Sequence, residues 1–392
     1  MESSSSTSTL FAITPMIRRN VHRCRAISAD TLMTVLNRLL QETDSRSEKQ
    51  KALDDFRFLL RLGVDVNERV GGTILLVRAA RSGHRAAIAA LLREEAEPNT
   101  ALANGTTALH EASRRGHPLS VGLLLAGGAD PNSKQATSGM RALHVSFEDP
   151  LTGQRALEVV RVLVSKGAEV NARGQYGRTA LLLACRYQNL PAALYLISKG
   201  ADVCARDRMD GSTALHFASE YGQTELITLL LSKGADVECR DQDQQRPLHM
   251  AAGNGWMETA VLLVSKGAQV DALDVQRCTP LHHAVADDNA PLVSFLLSKK
   301  ANPNLQNGQG RTPLMVASEA GFTEIVRLLL EGGADRRVGT GNGTTALDMA
   351  RRRRHQDIVS LLRSESESRS ETPADREKEA QIDDAALAYY RA

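Results

Sequence analysis

A segment of about 33 residues recurs along most of the chain, and no other feature constrains the fold as strongly. The clearest copies are "GSTALHFASEYGQTELITLLLSKGADV" at 211–237, "QRPLHMAAGNGWMETAVLLVSKGAQV" at 245–270 and "GRTPLMVASEAGFTEIVRLLLEGGAD" at 310–335. A threonine or its replacement marks the copies at Ile74, Thr107, Arg141, Thr179, Thr213, Arg246, Thr279, Thr312 and Thr345. These positions lie 33 or 34 residues apart, except for one interval of 38 residues. Such a period indicates an array of stacked units and excludes a domain built around one central core.

Each copy carries the signals of two short helices joined by a tight turn. Thr279 and Pro280 start a first helix, because the hydroxyl can cap free N–H groups and proline suits the first turn. A glycine then ends this helix where the motif is kept, at 116, 222, 255 and 321. The second helix has aliphatic residues at helical spacing, as in Leu226 and Leu230, and ends in "KGAD". Turn residues such as "RDRMDGS" predict a hairpin finger before the next copy.

The order T-P-L-H-x-A-A, a glycine, an aliphatic stretch and G-A-D-V-N resembles the ankyrin repeat. The resemblance covers roughly residues 31–363, and nine copies keep both motif and phase. It implies an all-α ankyrin-repeat solenoid of stacked helix-turn-helix units with β-hairpin finger loops. It also implies a chain that binds another protein, as an interaction scaffold or adaptor, and that is not an enzyme.

The repeat phase divides the chain into three parts. We expect a disordered leader rich in serine and arginine at 1–30, the solenoid at 31–363 and a charged, mostly disordered tail at 364–392. Within the solenoid, degenerate sequences predict an N-terminal capping unit at 31–70, repeats 1 to 8 at 71–338 and a C-terminal capping repeat at 339–363. The third repeat has an insertion, 146–155, which is either neutral or a distinctive contact.

Charge and cysteine content bear on the compartment. A net charge of +2 argues against nucleic acid as a partner, and no apolar run has the ~20 residues that membrane insertion needs. The odd number of cysteines, five, without a CxxC motif, fits a reducing compartment. We therefore expect a cytoplasmic protein, with the nucleus as an additional location. Arginines in the leader, at 18, 19, 23 and 25, keep mitochondrial import as an alternative.

Most histidines are explained by the repeat and not by chemistry. His110, His144, His216, His249 and His282 occupy the TPLH position, where the resemblance implies hydrogen bonds between neighbouring fingers. His84, His117 and His355 follow the first helix. No histidine has a second ligand at metal spacing, and no cysteine is paired with a base. We therefore expect neither catalytic residues, nor a metal, nor a cofactor.

The resemblance also implies where a partner binds, since ankyrin repeats use the concave surface of the fingers and the exposed side of the inner helices. Carrying these positions over predicts a partner-binding surface in repeats 2 to 5, formed by Arg114, Arg115, Tyr176, Arg178, Arg186, Tyr187, Glu220 and Tyr221. Tyrosine and arginine dominate interface energetics. We expect a partner protein with an acidic or mixed-charge segment, and a chain that is monomeric on its own.

A dense basic run, Arg351 to Arg354, lies in the C-terminal repeat. One hypothesis is a nuclear-import signal at Arg351, Arg352, Arg353 and Arg354, which would make the chain a nuclear regulator that binds a transcription factor. The other is a solvated turn of the capping repeat.

Overall fold

A computed structural model describes residues 29–40, 46–61, 65–149 and 153–363. The leader and the tail predicted from the sequence lie outside these residues, apart from Ala29 and Asp30. The chain forms two compact units, Met1–Met209 and Asp210–Ala392. Both consist of short helices in pairs, and together they confirm an all-α repeat architecture.

The first unit contains ten helices within its described residues. They are α1 (Ala29–Leu40), α2 (Arg46–Leu60), α3 (Leu75–Arg81), α4 (Arg85–Arg93), α5 (Ala108–Arg114), α6 (Pro118–Ala126), α7 (Ala142–Val145), α8 (Gly153–Ser165), α9 (Ala180–Arg186) and α10 (Leu190–Ser198). From α3 onward the odd-numbered helices are the first helices of the repeats, and each packs on the next first helix. The second helices α4, α6, α8 and α10 pack on one another in the same order.

The second unit repeats this arrangement with ten further helices in its described part. They are α11 (Ala214–Glu220), α12 (Thr224–Ser232), α13 (Pro247–Gly253), α14 (Met257–Ser265), α15 (Pro280–Ala286), α16 (Ala290–Ser298), α17 (Pro313–Ala320), α18 (Thr323–Glu331), α19 (Ala346–Arg353) and α20 (Gln356–Leu362). Fully buried aliphatic side chains such as Leu215, Leu226 and Leu230 fill the space between paired helices. Each pair buries its apolar faces only by stacking on its neighbours, which explains how the chain folds with few aromatic residues.

Threonine caps start the first helices, as the sequence predicts. The Thr279 hydroxyl accepts the His282 N–H at 3.3 Å, and the Thr312 hydroxyl accepts the Met315 N–H at 3.3 Å. Pro280 and Pro313 occupy the first turn, where a missing N–H costs nothing. The same two-residue signal therefore sets the start of successive helices.

Two first helices of the second unit, α11 and α17, end against a ring from the following repeat. Gly222 has a φ of +67°, and a Cβ placed there would meet the ring of Trp256 at 2.5 Å. Gly321 has a φ of +90° and lies under the ring of His355 in the same way. The Trp256 Nε1–H donates to the Glu220 carbonyl at 2.7 Å, and His355 Nε2 bonds the Glu319 carbonyl at 3.1 Å. Glycine is required here both by the left-handed turn and by the ring that covers it.

The fingers are tight turns, and only one contains paired strands among the described residues. Strand β1 (Arg69–Val70) pairs antiparallel with β2 (Thr73–Ile74), joined by Gly71 and Gly72, which both have positive φ as this two-residue turn demands. The other described fingers are closed by hydrogen bonds without paired strands, such as Asp274 N–H to the Cys278 carbonyl at 3.0 Å, and the last finger has an isolated β-bridge between Gly339 and Thr345.

Successive fingers are also joined by main-chain hydrogen bonds within each unit. In the first unit Arg208 N–H donates to the Tyr176 carbonyl at 2.8 Å, and in the second Val275 N–H donates to the Asp243 carbonyl at 2.8 Å. These bonds hold each fingertip in register with its neighbour, and they fix the positions of the side chains that the fingers expose.

Candidate protein-binding surface

Five buried histidines form a ladder behind the fingers. The Thr107 N–H donates to His110 Nδ1 at 3.2 Å, while His110 Nε2 lies 3.2 Å from the Met140 carbonyl of the next repeat. Since Nδ1 accepts, Nε2 must carry the proton and donate. The other rings repeat this geometry, each with Nε2 near a carbonyl of the following finger: His144, His216, His249 and His282. This confirms the structural role that the sequence predicted.

Burial favours the neutral form of four of these rings. It lowers the pKa of His110 to about 4 and the pKa of His249 to about 4, because the interior disfavours the charged imidazolium. Burial likewise lowers the pKa of His144 and of His282. A neutral imidazole that already donates and accepts has no nitrogen left for a metal or a substrate.

Two further candidates for chemistry in the described part of the chain, His283 and Cys185, are occupied or inert. His283, which the repeat does not explain, bonds the buried Asp274 carboxylate through Nε2 at 2.9 Å. Cys185 is fully buried, and burial raises the pKa of its thiol to about 12. Within the described residues no group of three or more His, Cys, Asp or Glu side chains could hold a metal ion.

Arg114 and Arg115 lie at the end of α5, where the sequence placed them, but both already have partners. Arg114 Nε is 2.7 Å from a Glu148 carboxylate oxygen, and Arg115 is 3.2 Å from Asp149. Arg114 also contacts the buried carboxylate of Glu111 at 2.9 Å. The two acidic partners stand at the start of the insertion in the third repeat, so this insertion neutralises part of the predicted basic surface.

A fingertip cluster in the first unit combines a tyrosine, an arginine and a methionine. Tyr176 is 49% exposed, and the Arg178 guanidinium lies 5.3 Å from its ring centroid. Arg178 also pairs with the buried Asp207 at 2.5 Å and approaches the Met209 sulfur at 3.7 Å. Met209 is 61% exposed. The structure therefore brings Tyr176 and Arg178 together and adds Met209, which the sequence alone did not indicate.

The other predicted residues lie at the ends of first helices. Tyr187 follows α9 and is 48% exposed, beside a half-buried Arg186. In the second unit, Glu220 and Tyr221 end α11 and are both half-buried. Trp256, 43% exposed, lies against the Gly222 turn that follows them, and it was missed because only its repeat position, shared with His117 and His355, would have revealed it.

The basic run occupies the end of α19. Arg351 is half-buried in the helix, while Arg352, Arg353 and Arg354 are exposed. Arg353 pairs with Glu319 at 3.0 Å. Arg354 adopts a φ of +64° at the position where other repeats have glycine.

A family model for ankyrin repeats, in three copies, matches the chain at residues 46–135, 121–207, 153–241, 215–307 and 281–372. These overlapping matches cover most of the chain and coincide with the observed helix pairs. The chain belongs to the ankyrin-repeat family. Ankyrin repeats are protein-interaction modules, so the exposed residues described above are candidates for contact with a partner protein.

Among curated proteins, no relative matches this ankyrin-repeat chain. None of the helices in the described part of the chain combines the length and the apolar character needed to cross a bilayer.

Proposed function

We propose that this ankyrin-repeat protein is an interaction scaffold or adaptor whose partner binds the fingers and the exposed ends of the first helices. In the first unit the proposed contacts are Tyr176, Arg178 and Tyr187. In the second unit, taken by itself, the candidate contacts are Glu220 and Tyr221. The observation that carries this proposal is the 49% and 48% exposure of Tyr176 and Tyr187. In a chain with 4% aromatic residues, half-exposed tyrosines on a preformed surface are candidate binding anchors.

The ion pairs of Arg114 and Arg115 limit the kinds of partner segment that can bind here. A partner carboxylate aimed at Arg114 or Arg115 would have to displace Glu148 or Asp149, so it would gain little. The tyrosine rings and Met209, by contrast, lose only water when they are covered. We therefore propose a mixed segment, with apolar side chains for the Tyr176–Arg178–Met209 fingertip and few carboxylates, in place of a strongly acidic one.

Site-specific crosslinking tests the location of this surface. A photoreactive phenylalanine analogue at position 187 should form a covalent adduct with the partner in cells, and mass spectrometry would identify the partner. The same analogue at Phe295, on α16, is the control, since second helices lie outside the proposed surface. Adducts from position 295 alone would contradict the proposal.

The alternative, a nuclear regulator that binds a transcription factor, is supported by the exposure of Arg352, Arg353 and Arg354. If the run is an import signal, replacing Arg352 and Arg354 by Ser should shift a fluorescent fusion of the chain from nucleus to cytoplasm. The control is Arg336→Ser with Arg337→Ser, which removes the same charge from a neighbouring finger. An unchanged nuclear fraction in the first variant would eliminate this alternative.

A further inference from the structure

The second helices α4, α6 and α8 of the first unit border an open groove of about 900 Å³. Its lining is apolar and mostly small: Ala86, Ala89, Leu119, Gly122, Leu123 and Val162. Leu119 is 62% exposed, the largest exposed fraction of any large hydrophobic residue in the described part of the chain. A Cβ placed on Gly122 would have no atom within 4 Å, so Gly122 leaves an open recess beside Leu119 on the same helix.

The second helices of the other repeats show which feature of α6 is unusual. At the position of Leu119, the second helices of other repeats have Glu158, Glu225, Glu258 and Glu324. At the position of Gly122, the third and eighth repeats have Arg161 and Arg327. The helix α6 and the two residues after it contain no charged side chain. The fold therefore tolerates charge at both positions, although several other repeats are uncharged there too, with Ala86, Pro191 and Pro291 at the first position and Ala89, Leu194 and Val261 at the second. What sets α6 apart is that no other second helix in the described part of the chain lacks charge over the helix and the two residues after it.

The groove combines features that fit a second copy of the same surface. A projecting leucine next to a recess is self-complementary, because a two-fold axis between them seats each Leu119 in the recess of the other copy. The charged residues at the edge of the groove have both signs: Arg85, Arg155 and Glu158 are exposed and form no ion pair with any described residue. Two copies can therefore approach without facing charges of one sign only.

We infer that the α6 groove is a homodimer interface in which Leu119 of each copy fills the recess at Gly122 of the other. This interface is formed by second helices, whereas the partner surface proposed above is formed by fingers and first helices. The inference replaces the monomer expected from the sequence.

Sedimentation equilibrium of the full chain from about 1 to 100 µM tests the inference. We expect the mass to rise from 42.5 kDa toward twice that value. Leu119→Glu and Gly122→Arg, which install residues found at the same positions in other repeats, should weaken dimerisation at least about 100-fold, since each buries an unpaired charge. Val261→Arg is the matched control, because exposed Val261 occupies the Gly122 position in the sixth repeat and should leave the dimer unchanged.

Melting curves of all variants establish whether they fold. If one interface variant does not fold, the other is enough to test the inference. A wild-type chain that stays at 42.5 kDa at 100 µM would overturn the inference and leave the groove to a different partner. A dimer that persists in folded Leu119→Glu and Gly122→Arg would overturn it as well.

Discussion

The imidazole of His110 connects two repeats because its Nδ1 is bound by Thr107 of its own repeat and its Nε2 by a carbonyl of the next repeat. Nδ1 accepts from the Thr107 N–H and Nε2 donates to the Met140 carbonyl. If Nδ1 were protonated, its N–H would face the Thr107 N–H, so two donors would meet and the hydrogen bond would be lost. The ring would also carry a charge in the interior. A residue that looks like a catalytic base in the sequence is therefore a neutral connector in the structure.

This geometry predicts acid sensitivity. Below its ordinary pKa of 6.5 a histidine in the unfolded chain binds a proton, whereas His110 and His249 stay neutral down to about 4. The stability that they contribute is complete above about pH 6.5 and is lost as the pH falls toward 4. Between pH 7.5 and 5 we expect the free energy of unfolding to fall by about 2 kcal/mol for each ring, measured by urea denaturation.

His110→Leu is the matched variant, because Leu182 and Met315 occupy the same repeat position naturally. It should lower stability at pH 7.5, where two hydrogen bonds are lost, yet reduce the loss between pH 7.5 and 5 by about 2 kcal/mol. If the variant and the wild type lose the same free energy over that interval, burial of His110 is not a source of the acid sensitivity.

At the scale of the helix, the Trp256 ring that covers Gly222 ties the first helix α11 to the following repeat. Gly222 and Gly267 both have positive φ, but a Cβ would meet Trp256 only at Gly222 and would find open space at Gly267. Gly267→Ala should cost about 1–2 kcal/mol for the left-handed backbone. Gly222→Ala should cost about 1–3 kcal/mol more, because the indole must also move.

Urea denaturation of the two variants separates the backbone contribution from the ring contact. Equal losses of free energy would show that the Trp256 ring moves aside without cost, and that the contact does not link the repeats. Trp256 fluorescence gives an independent measurement, since it should change in Gly222→Ala and remain unchanged in Gly267→Ala.

The insertion of the third repeat shows where periodicity stops being informative. The phase of the repeat placed Arg114 and Arg115 at the end of a first helix, which the structure confirms. It could not show their pairing with Glu148 and Asp149, because an insertion breaks the phase and its path depends on tertiary contacts. For the same reason the sequence overstated the free positive charge of the surface.

At the scale of the whole chain, the fold was predictable because one 33-residue pattern specifies each unit and its neighbours. The helix starts at Thr279 and Thr312 and the role of His110 all follow from that phase. The exposure of individual side chains could not be predicted from this pattern as well as the fold could. Met209 and Leu119 are 61% and 62% exposed, and Leu119 stands beside the recess at Gly122, where a side chain is absent. A pattern shared by all repeats does not show such differences between single residues.

The central claim is that the exposed tyrosines of the first unit anchor a partner protein. Once the partner is identified, isothermal titration calorimetry of Tyr176→Ala, Tyr187→Ala and the double variant tests it directly. We predict a loss of about 1–2 kcal/mol of binding free energy for each single variant, with melting temperatures unchanged. Val261→Ala is the control, since Val261 is 41% exposed on the second helix α14, outside the proposed surface, and should retain full affinity. Full affinity in the double Tyr variant would contradict the claim.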